Sequence, residues 1–508
     1  MKYQILDCTL RDGGYYTDWN FPFNLVKNYL KVISKTPIKY VELGYLSSQN
    51  DTNGPYFHLN TKILKTAKKI LNKDQKISVM INAKEIKDSR SLINLISESH
   101  KFIDTIRFAV DIEKLNIVQD IVKAKKKYKN ISFNLNLMYL SKWIDDHNYA
   151  KDRINFLKDK CDAISLVDSY GALKPHQIFN FFEKIKNLNI KLGCHFHNNC
   201  GLALANSLAA IEAGCNLVDT TIKGMGRGAG NAETELLLAL NHSKEIKISG
   251  FEFNNSLEEF EKMKSKLKWG SSYAYAYAAS NGYSQSEMMD LIQKRRLNVG
   301  LALKTISSKI KNKDTIKFEN YQIRKKLLKI PPVLIGGAES FISYGQNFLE
   351  NLNPKQTIIL SGSNALSNFL DLKVKLKNPI FLIISGSELE KIQSFKKEKK
   401  NKLKNISAFI VEKEFFFEND LLRKYKNKII FSSSIGLNPL TLTGLFLIKI
   451  KISSLSLAFF DGQPETEKGR IVMKETEKSL KFLRNKGLKI LSYTKTFLNV
   501  NQVNPWIQ

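Results

Sequence analysis

The chain has 508 residues, of which 43% are hydrophobic and 25% charged. This composition is ordinary for a folded protein, so we expect roughly two or three domains and no long disordered segment. The formal net charge is +31, from 79 lysines and arginines against 48 acidic residues. The lysine runs lack regularly interleaved aromatic residues and any nucleic-acid-binding motif. We therefore interpret them as solvated helix faces and expect no nucleic-acid partner.

The five cysteines include no CxxC pair. They do not form the pattern of a disulfide framework, so we expect a reducing, cytoplasmic environment. The N-terminal residues lack the apolar segment of a signal peptide. The most apolar stretch, residues 440–460, is interrupted by Lys449 and Lys451. It has the pattern of a helix followed by a strand, so we expect no membrane span.

Short β-rich apolar segments alternate with helical segments through the first half of the chain. Eight strands, each followed by a helix, predict a closed parallel (β/α)8 barrel, or TIM barrel, over residues 1–242. An open doubly wound sheet is the competing interpretation, and the number of strands and the placement of polar motifs favour the barrel. The predicted strands are residues 3–8, 40–43, 77–81, 105–109, 131–137, 163–167, 190–196 and 217–221.

The pattern changes twice after the predicted barrel. Residues 243–330 have helical spacing and an aromatic-rich piece at 269–277, which predicts a helical extension that packs on the barrel or covers its mouth. Pro331-Pro332 then precedes a second α/β pattern, which predicts a Rossmann-like α/β domain over residues 331–508. It contains no GxGxxG or Walker A motif, so its ligand and role stay open. Its predicted strands are residues 333–335, 357–360, 380–384, 408–411, 428–432, 455–460 and 489–491.

Polar motifs follow several of the predicted barrel strands directly. Catalytic residues of (β/α)8 barrels lie at the carboxyl ends of the strands, so these side chains are candidate site residues. They are Arg11 and Asp12 after the first strand, Glu42 at the second, Arg107 on the fourth, Asp168 and Ser169 at the sixth, His195 and His197 at the seventh, and Gly226, Arg227 and Asn231 after the eighth.

The histidine pair suggests a metal. His195 and His197 are two residues apart, so their side chains leave a strand on the same face. A carboxylate from the first strand, Asp12, would complete a facial set that leaves positions open for substrate and water. Arg11 beside it suits an anionic 2-oxo acid or a developing enolate. Each motif alone has an ordinary structural explanation, but all three fall on strand ends of one barrel, which favours a site.

Three ordered motifs resemble a known superfamily. Residues 7–13, 195–198 and 226–233 are similar to the strand-one, metal and glycine-loop motifs of the metallolyase TIM barrels. These include 4-hydroxy-2-oxovalerate aldolase, 3-hydroxy-3-methylglutaryl-CoA lyase, and the isopropylmalate and homocitrate synthases. The resemblance covers roughly residues 1–300. It implies that Asp12, His195 and His197, with Asn231 as a further ligand, hold Mn²⁺ or Mg²⁺, and that Arg11 stabilises the enolate of a 2-oxo acid such as pyruvate.

The chain departs from this pattern at the proton-transfer step. The aldolases carry a histidine base four residues after the arginine, where this chain has Tyr15. A tyrosine with a pKa of about 10 is a poor base at neutral pH, so Tyr15 or Tyr16 is expected as an acid, as a relay or as pocket lining. Biotin-dependent carboxyltransferases share the barrel but use a carbamylated lysine, and the strand-six end has none.

The expected function is a divalent-metal-dependent aldolase, a lyase acting on a 2-oxo acid and an aldehyde through a metal-bound enolate. Glu42, Arg107, Asp168, Ser169, Gly226 and Arg227 are expected to bind substrate. Barrels with the Gly13-Gly14-Tyr15 variant resemble proteins encoded for surface-polysaccharide assembly, which implies a sugar-linked aldehyde.

Residues 436–462 loosely resemble Rossmann-like proteins related to bacterial sialyltransferases. The alternatives are a Claisen-type acyl-CoA condensing enzyme and a non-catalytic binding protein, and we expect a homo-oligomer.

Overall fold

The computed structural model describes residues 3–49, 53–241, 250–294, 299–307, 317–321, 328, 330–386, 388–413, 420–434, 437–465 and 467–503. It forms two compact units, Met1–Met288 and Met289–Gln508. Part of the predicted helical extension, including residues 243–249 and 308–316, lies outside the described residues. The three-part division at residues 242 and 330 stays a prediction.

Eight parallel strands close into a barrel in the first unit, in chain order from β1 to β8 and back to β1. The predicted TIM barrel is confirmed, and strand ends differ from the predicted ones by one or two residues. Most strand residues are buried, because the strands are covered by helices on one side and packed against each other on the other. The strands are β1 Gln4–Asp7, β2 Tyr40–Tyr45, β3 Lys76–Ile81, β4 Thr105–Asp111, β5 Ser132–Met138, β6 Ala163–Asp168, β7 Lys191–Phe196 and β8 Leu217–Thr220.

Amphipathic helices surround the barrel, and several begin at a polar side chain that accepts a bond from the first turn, as Asn60, Asp88 and Asp146 do. The helices of this unit are Thr9–Asp12, Gly14–Thr17, Phe23–Ile33, Thr61–Ile70, Ser89–Ser97, Val118–Lys127, His147–Leu157, Pro175–Ile185, Ala203–Glu212, Thr234–Asn241, Gly250–Leu267, Tyr273–Ser280 and, at the boundary, Gln285–Met289. Short 3-10 turns lie at Ala83–Glu85, His100–Phe102, Leu140–Lys142 and Ile222–Gly224.

The segment after the barrel contacts the loops at the carboxyl ends of β7 and β8. The Trp269 indole donates to the Lys223 carbonyl at 2.9 Å, and Ser271 donates to the Asn198 carbonyl at 2.5 Å. Gln285 donates to the Asn199 side chain at 2.8 Å. These contacts place the segment over the end of the barrel that carries the polar motifs.

The second unit contains one nine-stranded sheet in the order β17-β16-β15-β10-β11-β12-β13-β14-β9. The seven predicted strands are present and parallel, which confirms the α/β domain. Two short edge strands were not predicted, and one of them, β9, runs antiparallel to β14, so the sheet is mixed. The strands are β9 Phe318–Glu319, β10 Val333–Ile335, β11 Ile358–Ser361, β12 Ile380–Ile384, β13 Ala408–Glu412, β14 Ile429–Ser432, β15 Ser454–Ala458, β16 Lys489–Ser492 and β17 Asn501–Gln502.

Two apolar clusters pack on the two faces of this sheet, since successive strand residues such as Ile358 and Ile359 point to opposite faces. No helix among the described residues is both long enough and apolar enough to cross a membrane. The helices of this unit are Asp290–Lys294 (a π turn), Val299–Ser307, Glu339–Glu350, Gly362–Asp371, Glu388–Gln393, Lys397–Lys402, Asp420–Arg423, Pro439–Lys449 and Glu467–Asn485, with 3-10 turns at Leu403–Asn405 and Lys426–Lys428.

Candidate metal centre

Four candidate ligands converge at the carboxyl ends of β1, β7 and β8. Asp12 lies on the short helix after β1, His195 at the end of β7, His197 directly beyond it, and Asn231 in the loop after β8. All four are buried. His195 Nε2 lies 3.5 Å from Asp12 Oδ2, and Asn231 Nδ2 donates to the same oxygen at 2.5 Å. The two imidazole rings are 5.0 Å apart between centroids, so these residues form one cluster.

Both histidines are held through their Nδ1 atoms. His195 Nδ1 lies 2.9 Å from Asp219 Oδ2, and His197 Nδ1 lies 2.9 Å from the Asp168 carbonyl oxygen. Metal-binding histidines characteristically bond a carboxylate or a carbonyl through one ring nitrogen and the metal through the other. The arrangement therefore presents both Nε2 atoms as ligands.

The residues fit a divalent cation. Asn231 Oδ1 is buried and has no hydrogen-bond partner among the described residues, and a buried amide oxygen without a partner is costly. Turning the Asn231 amide would bring this oxygen to the place where Nδ2 now contacts Asp12. One carboxylate, two imidazoles and one amide oxygen form a donor set suited to Mn²⁺ or Mg²⁺ as well as to Zn²⁺ or Fe²⁺. A β-carbon on Gly226 would collide with the Asn231 amide, so only glycine leaves this space free.

Cys8 is a further side chain near this cluster. One donor atom each of Cys8, Asp12 and His195 lies within 4.8 Å of the others. The Cys8 thiol donates to the Thr220 carbonyl at 3.4 Å, and burial raises its pKa well above the ordinary value. Thiolate is a soft ligand, whereas Mn²⁺ and Mg²⁺ favour carboxylate and carbonyl oxygens. We therefore do not include Cys8 in the candidate set.

Two arginines and three carboxylates form a buried network beside the cluster. Arg11 donates from Nη1 to Asp12 and from Nε to Glu42, both at 2.7 Å. Arg107 donates to the other Glu42 oxygen at 3.3 Å and forms a close ion pair with Asp219. These side chains are nearly inaccessible to solvent, so the charges stay paired at fixed positions.

The network sets the charge states of the candidate ligands. Burial alone would raise the pKa of Asp12, but Arg11 and His195 lower it well below the ordinary value. Burial also opposes protonation of His195, yet its bonds to Asp12 and Asp219 raise its pKa. For His197, burial and the charges of His195 and Arg227 lower the pKa to about 3, so this imidazole is neutral. A neutral imidazole is the form that binds a metal.

Aromatic side chains and Arg227 border the cluster. The Tyr15 and Tyr45 hydroxyls are 3.3 Å apart, and the edge of Trp19 packs against both rings. The Arg227 guanidinium lies 5.2 Å from the centre of the Tyr15 ring. The neighbouring Tyr16 is buried and donates to the Gly228 carbonyl at 2.7 Å, so its hydroxyl is engaged. Tyr15 is only partly buried and is the tyrosine better placed to meet a substrate.

The predicted site residues differ in what they contact. The contacts above join Arg11, Asp12, Glu42, His195, His197, Gly226 and Asn231. Arg227, whose charge acts on His197, lies over the Tyr15 ring. Arg107 is fully buried and bonds Glu42, Asn136 and Asp219. The Asp168 carboxylate accepts from the Gly171 and Leu173 amides, and burial raises its pKa to about 6. The Ser169 hydroxyl accepts from the Tyr139 amide. Substrate binding by these residues stays a prediction.

Sequence reasoning missed Asp219 and Tyr45. Asp219 lies inside predicted strand eight. A carboxylate buried in a strand needs a charged partner, so its position could have marked it as a site residue. Tyr45 ends β2, three residues after Glu42, and nothing in the sequence distinguished it from a packing residue. Their partners come from β4, β7 and the short helix Gly14–Thr17, which are distant in the chain.

The fold and site define a (β/α)8 barrel with a candidate divalent-metal centre at the carboxyl ends of its strands. A family model described as HMGL-like matches residues 2–260, half of the chain. The chain therefore belongs to the HMGL-like family, which accords with the superfamily resemblance of its motifs.

Individual relatives are distant. The chain is 27% identical over 243 residues to a 4-hydroxy-2-oxovalerate aldolase from Carboxydothermus hydrogenoformans, an alignment covering 47% of this chain and 70% of that protein. It is 24% identical over 244 residues to an oxaloacetate decarboxylase from Mycobacterium tuberculosis, covering 46% and 68%. A crystal structure of the N-terminal domain of an aldolase-like protein from Bacteroides vulgatus superposes with a TM-score of 0.53 at 32% identity, covering 57% of this chain and 96% of that one.

Proposed function

We propose that this protein is a divalent-metal-dependent aldolase that makes or breaks a carbon–carbon bond between a 2-oxo acid such as pyruvate and an aldehyde. The observation that carries the proposal is the ligand cluster. The cluster lies at the carboxyl ends of the barrel strands and contains Asp12, two histidines with anchored Nδ1 atoms, and Asn231, whose amide oxygen has no partner among the described residues. Family membership and the named aldolase relatives support it.

The proposed cofactor is Mn²⁺ or Mg²⁺, held by Asp12, His195, His197 and Asn231. Such a cation supplies Lewis-acid stabilisation of negative charge on an oxygen of the 2-oxo acid. The bonds described for Arg11 use Nε and Nη1, so Nη2 remains to donate to the same developing charge. Because Asp12 and Glu42 fix the guanidinium on two sides, this donor is oriented before substrate binds.

We propose that Tyr15 donates the proton that the aldehyde oxygen takes up when the carbon–carbon bond forms. Its hydroxyl is hydrogen-bonded to Tyr45 and the residue is partly exposed, whereas the Tyr16 hydroxyl is engaged with the Gly228 carbonyl. A phenol can donate a proton to the alkoxide formed in carbon–carbon bond formation. In cleavage the same side chain, as the phenolate, would take the hydroxyl proton back. The aldehyde proposed is sugar-linked, on the resemblance of the Gly13-Gly14-Tyr15 variant to surface-polysaccharide proteins.

Exchange of the pyruvate methyl protons in D₂O tests the proposal. We expect exchange with added Mn²⁺ or Mg²⁺ and none after chelation. Arg11→Gln should slow it by about 10²–10³-fold, the usual effect of removing one charge-stabilising donor. Arg90→Gln, which changes an exposed arginine on the barrel surface, is the matched control and should leave the rate unchanged. Tyr15→Phe should slow aldol addition by about 10²-fold or more.

The outcomes separate the candidate reactions. Metal-independent exchange, or no exchange across a panel of 2-oxo acids, contradicts the proposal. Enolate trapping only in the presence of an acyl-CoA would favour the condensing reaction, and release of CO₂ from oxaloacetate without aldol addition would favour a decarboxylase.

A further inference from the structure

Among the described residues around the candidate metal centre, Arg227 differs from the other charged groups, which have partners. Arg11 faces Asp12 and Glu42, and Arg107 faces Glu42 and Asp219. The Asp168 carboxylate is bound to backbone amides. The structure gives Arg227 no carboxylate partner in any described residue, although its charge acts on His197.

The buried part of Arg227 lacks an acceptor. Its Nε atom is inaccessible to solvent and has no hydrogen-bond partner within the described part of the chain. The guanidinium instead lies over the Tyr15 ring at 5.2 Å. A charged donor removed from water without an acceptor costs free energy, so this position favours a ligand that brings an oxygen to it.

The position of Arg227 is fixed by the loop that carries it. Its carbonyl accepts from Gln285 Nε2 at 2.6 Å and from the Gly230 amide at 3.2 Å. Gln285 also donates to Asn199, and Tyr16 donates to the next carbonyl in the loop. These hydrogen bonds hold the loop backbone at Arg227 and Gly228. The Arg227 side chain therefore extends from a fixed position. Preorganisation of this kind lowers the entropic cost of binding.

We propose that Arg227 binds an anionic group, a carboxylate or a phosphate, on the aldehyde substrate. This inference rests on the proposed function, and it names the chemical class of the aldehyde, the second substrate of the proposed reaction. The planar guanidinium fork matches both anions through paired N–H donors. The aldehyde is favoured over the 2-oxo acid because Arg227 lies over Tyr15, the group assigned to the aldehyde oxygen, whereas Arg11 adjoins Asp12.

Paired aldehydes test this inference. Aldol addition of pyruvate is measured with succinic semialdehyde against butanal, and with glyceraldehyde 3-phosphate against glyceraldehyde. The native protein should prefer the anionic member of at least one pair, and that pair identifies the anion. Arg227→Gln should lower the preference, as a ratio of kcat/KM values, by about 10–150-fold, which corresponds to one charged hydrogen bond of about 1.5–3 kcal/mol. Arg227→Lys should retain part of it.

Arg153→Gln is the matched control, because the Arg153 guanidinium also lies 5.2 Å from a tyrosine ring, that of Tyr149. It should leave the preference unchanged. The inference is overturned if the native protein prefers neutral aldehydes, if Arg227→Gln lowers both members of a pair equally, or if it abolishes pyruvate exchange to the same degree.

Failure of the proposed function is recognisable separately. If the native protein exchanges no pyruvate protons, calorimetric titration with inorganic phosphate and with succinate decides about Arg227. Binding that Arg227→Gln weakens and Arg153→Gln does not would uphold an anion site at Arg227. Absent or equal binding in all three proteins would overturn it.

Discussion

Asp219 is the residue whose replacement tests most directly how the barrel supports its candidate metal centre. Its Oδ2 atom lies 2.9 Å from His195 Nδ1 and also pairs with Arg107, while Oδ1 has no partner among the described residues. Asp219→Asn keeps the shape of the side chain and removes its charge. Within the described part of the chain, Arg107 then retains Glu42 as its charged partner, at 3.3 Å.

Two effects of different size follow from this change. Breaking a buried ion pair by altering one partner costs about 3–5 kcal/mol of stability, because the other charge stays buried. Loss of the carboxylate that orients a metal-binding histidine costs about 10–100-fold in metal affinity, or about 1.4–2.7 kcal/mol. We therefore expect the same variant to have a lower free energy of unfolding and a higher Kd for Mn²⁺.

Urea unfolding monitored by circular dichroism measures the first effect, and calorimetric Mn²⁺ titration of the folded protein measures the second. Asp420→Asn is the matched control, because Asp420 also pairs with an arginine, Arg423, but both side chains are mostly exposed. Exposed pairs contribute about 0–1 kcal/mol. If Asp219→Asn binds Mn²⁺ as tightly as the native protein, or is no less stable than Asp420→Asn, the supporting role of Asp219 is refuted.

Two further predictions concern the loop and helix after β8. Burial raises the pKa of Glu235 to about 7, so the folded state holds this proton more tightly than the unfolded chain, whose glutamate pKa is about 4.3. The free energy of unfolding should then fall as the pH rises between these values, and Glu235→Gln should stabilise the protein by about 2–4 kcal/mol near pH 8 and little near pH 5. Urea unfolding at both pH values checks this, with the exposed Glu261→Gln as control; equal effects at both pH values would contradict it. Gly226→Ala places a β-carbon against the Asn231 amide and 3.2 Å from Asp12 Oδ2, so we expect at least about tenfold weaker Mn²⁺ binding by calorimetry. Gly282→Ala adds a β-carbon that meets no atom within 4 Å, at a backbone φ of +67° that strains a side chain, so it should lower stability and leave that affinity unchanged. Unchanged affinity in Gly226→Ala would show that the ligands can shift.

The sequence was sufficient for the elements that depend on local pattern. Eight apolar strands with polar residues at their carboxyl ends predicted the barrel, because parallel strands buried on both faces are almost continuously apolar. The seven parallel strands of the second unit were found for the same reason. Its edge strands β9 and β17 have two residues each and are partly exposed, so no apolar pattern marks them.

In the candidate site, too, some features follow from local sequence pattern and others do not. Spacing alone put His195 and His197 on one face of a strand, and barrel topology brought Asp12 to them. The sequence could not distinguish Arg107, which lies buried against Glu42 and Asp219, from Arg227, which lies over Tyr15 without a carboxylate partner in the described residues. Both are arginines near strand ends.

The sequence by itself therefore determined the barrel, the α/β second unit and the metal-ligand candidates, since strand periodicity and residue chemistry are local properties. Only the tertiary structure decided which partner each charge takes. Asp219 and His195 are 24 positions apart, and Asp219 and Arg107 are 112 apart. Such pairs form only when the barrel closes, and their strength depends on burial that no single segment encodes. For that reason the support of His195 by Asp219, and the lack of a carboxylate partner for Arg227 in the described part of the chain, came from the fold.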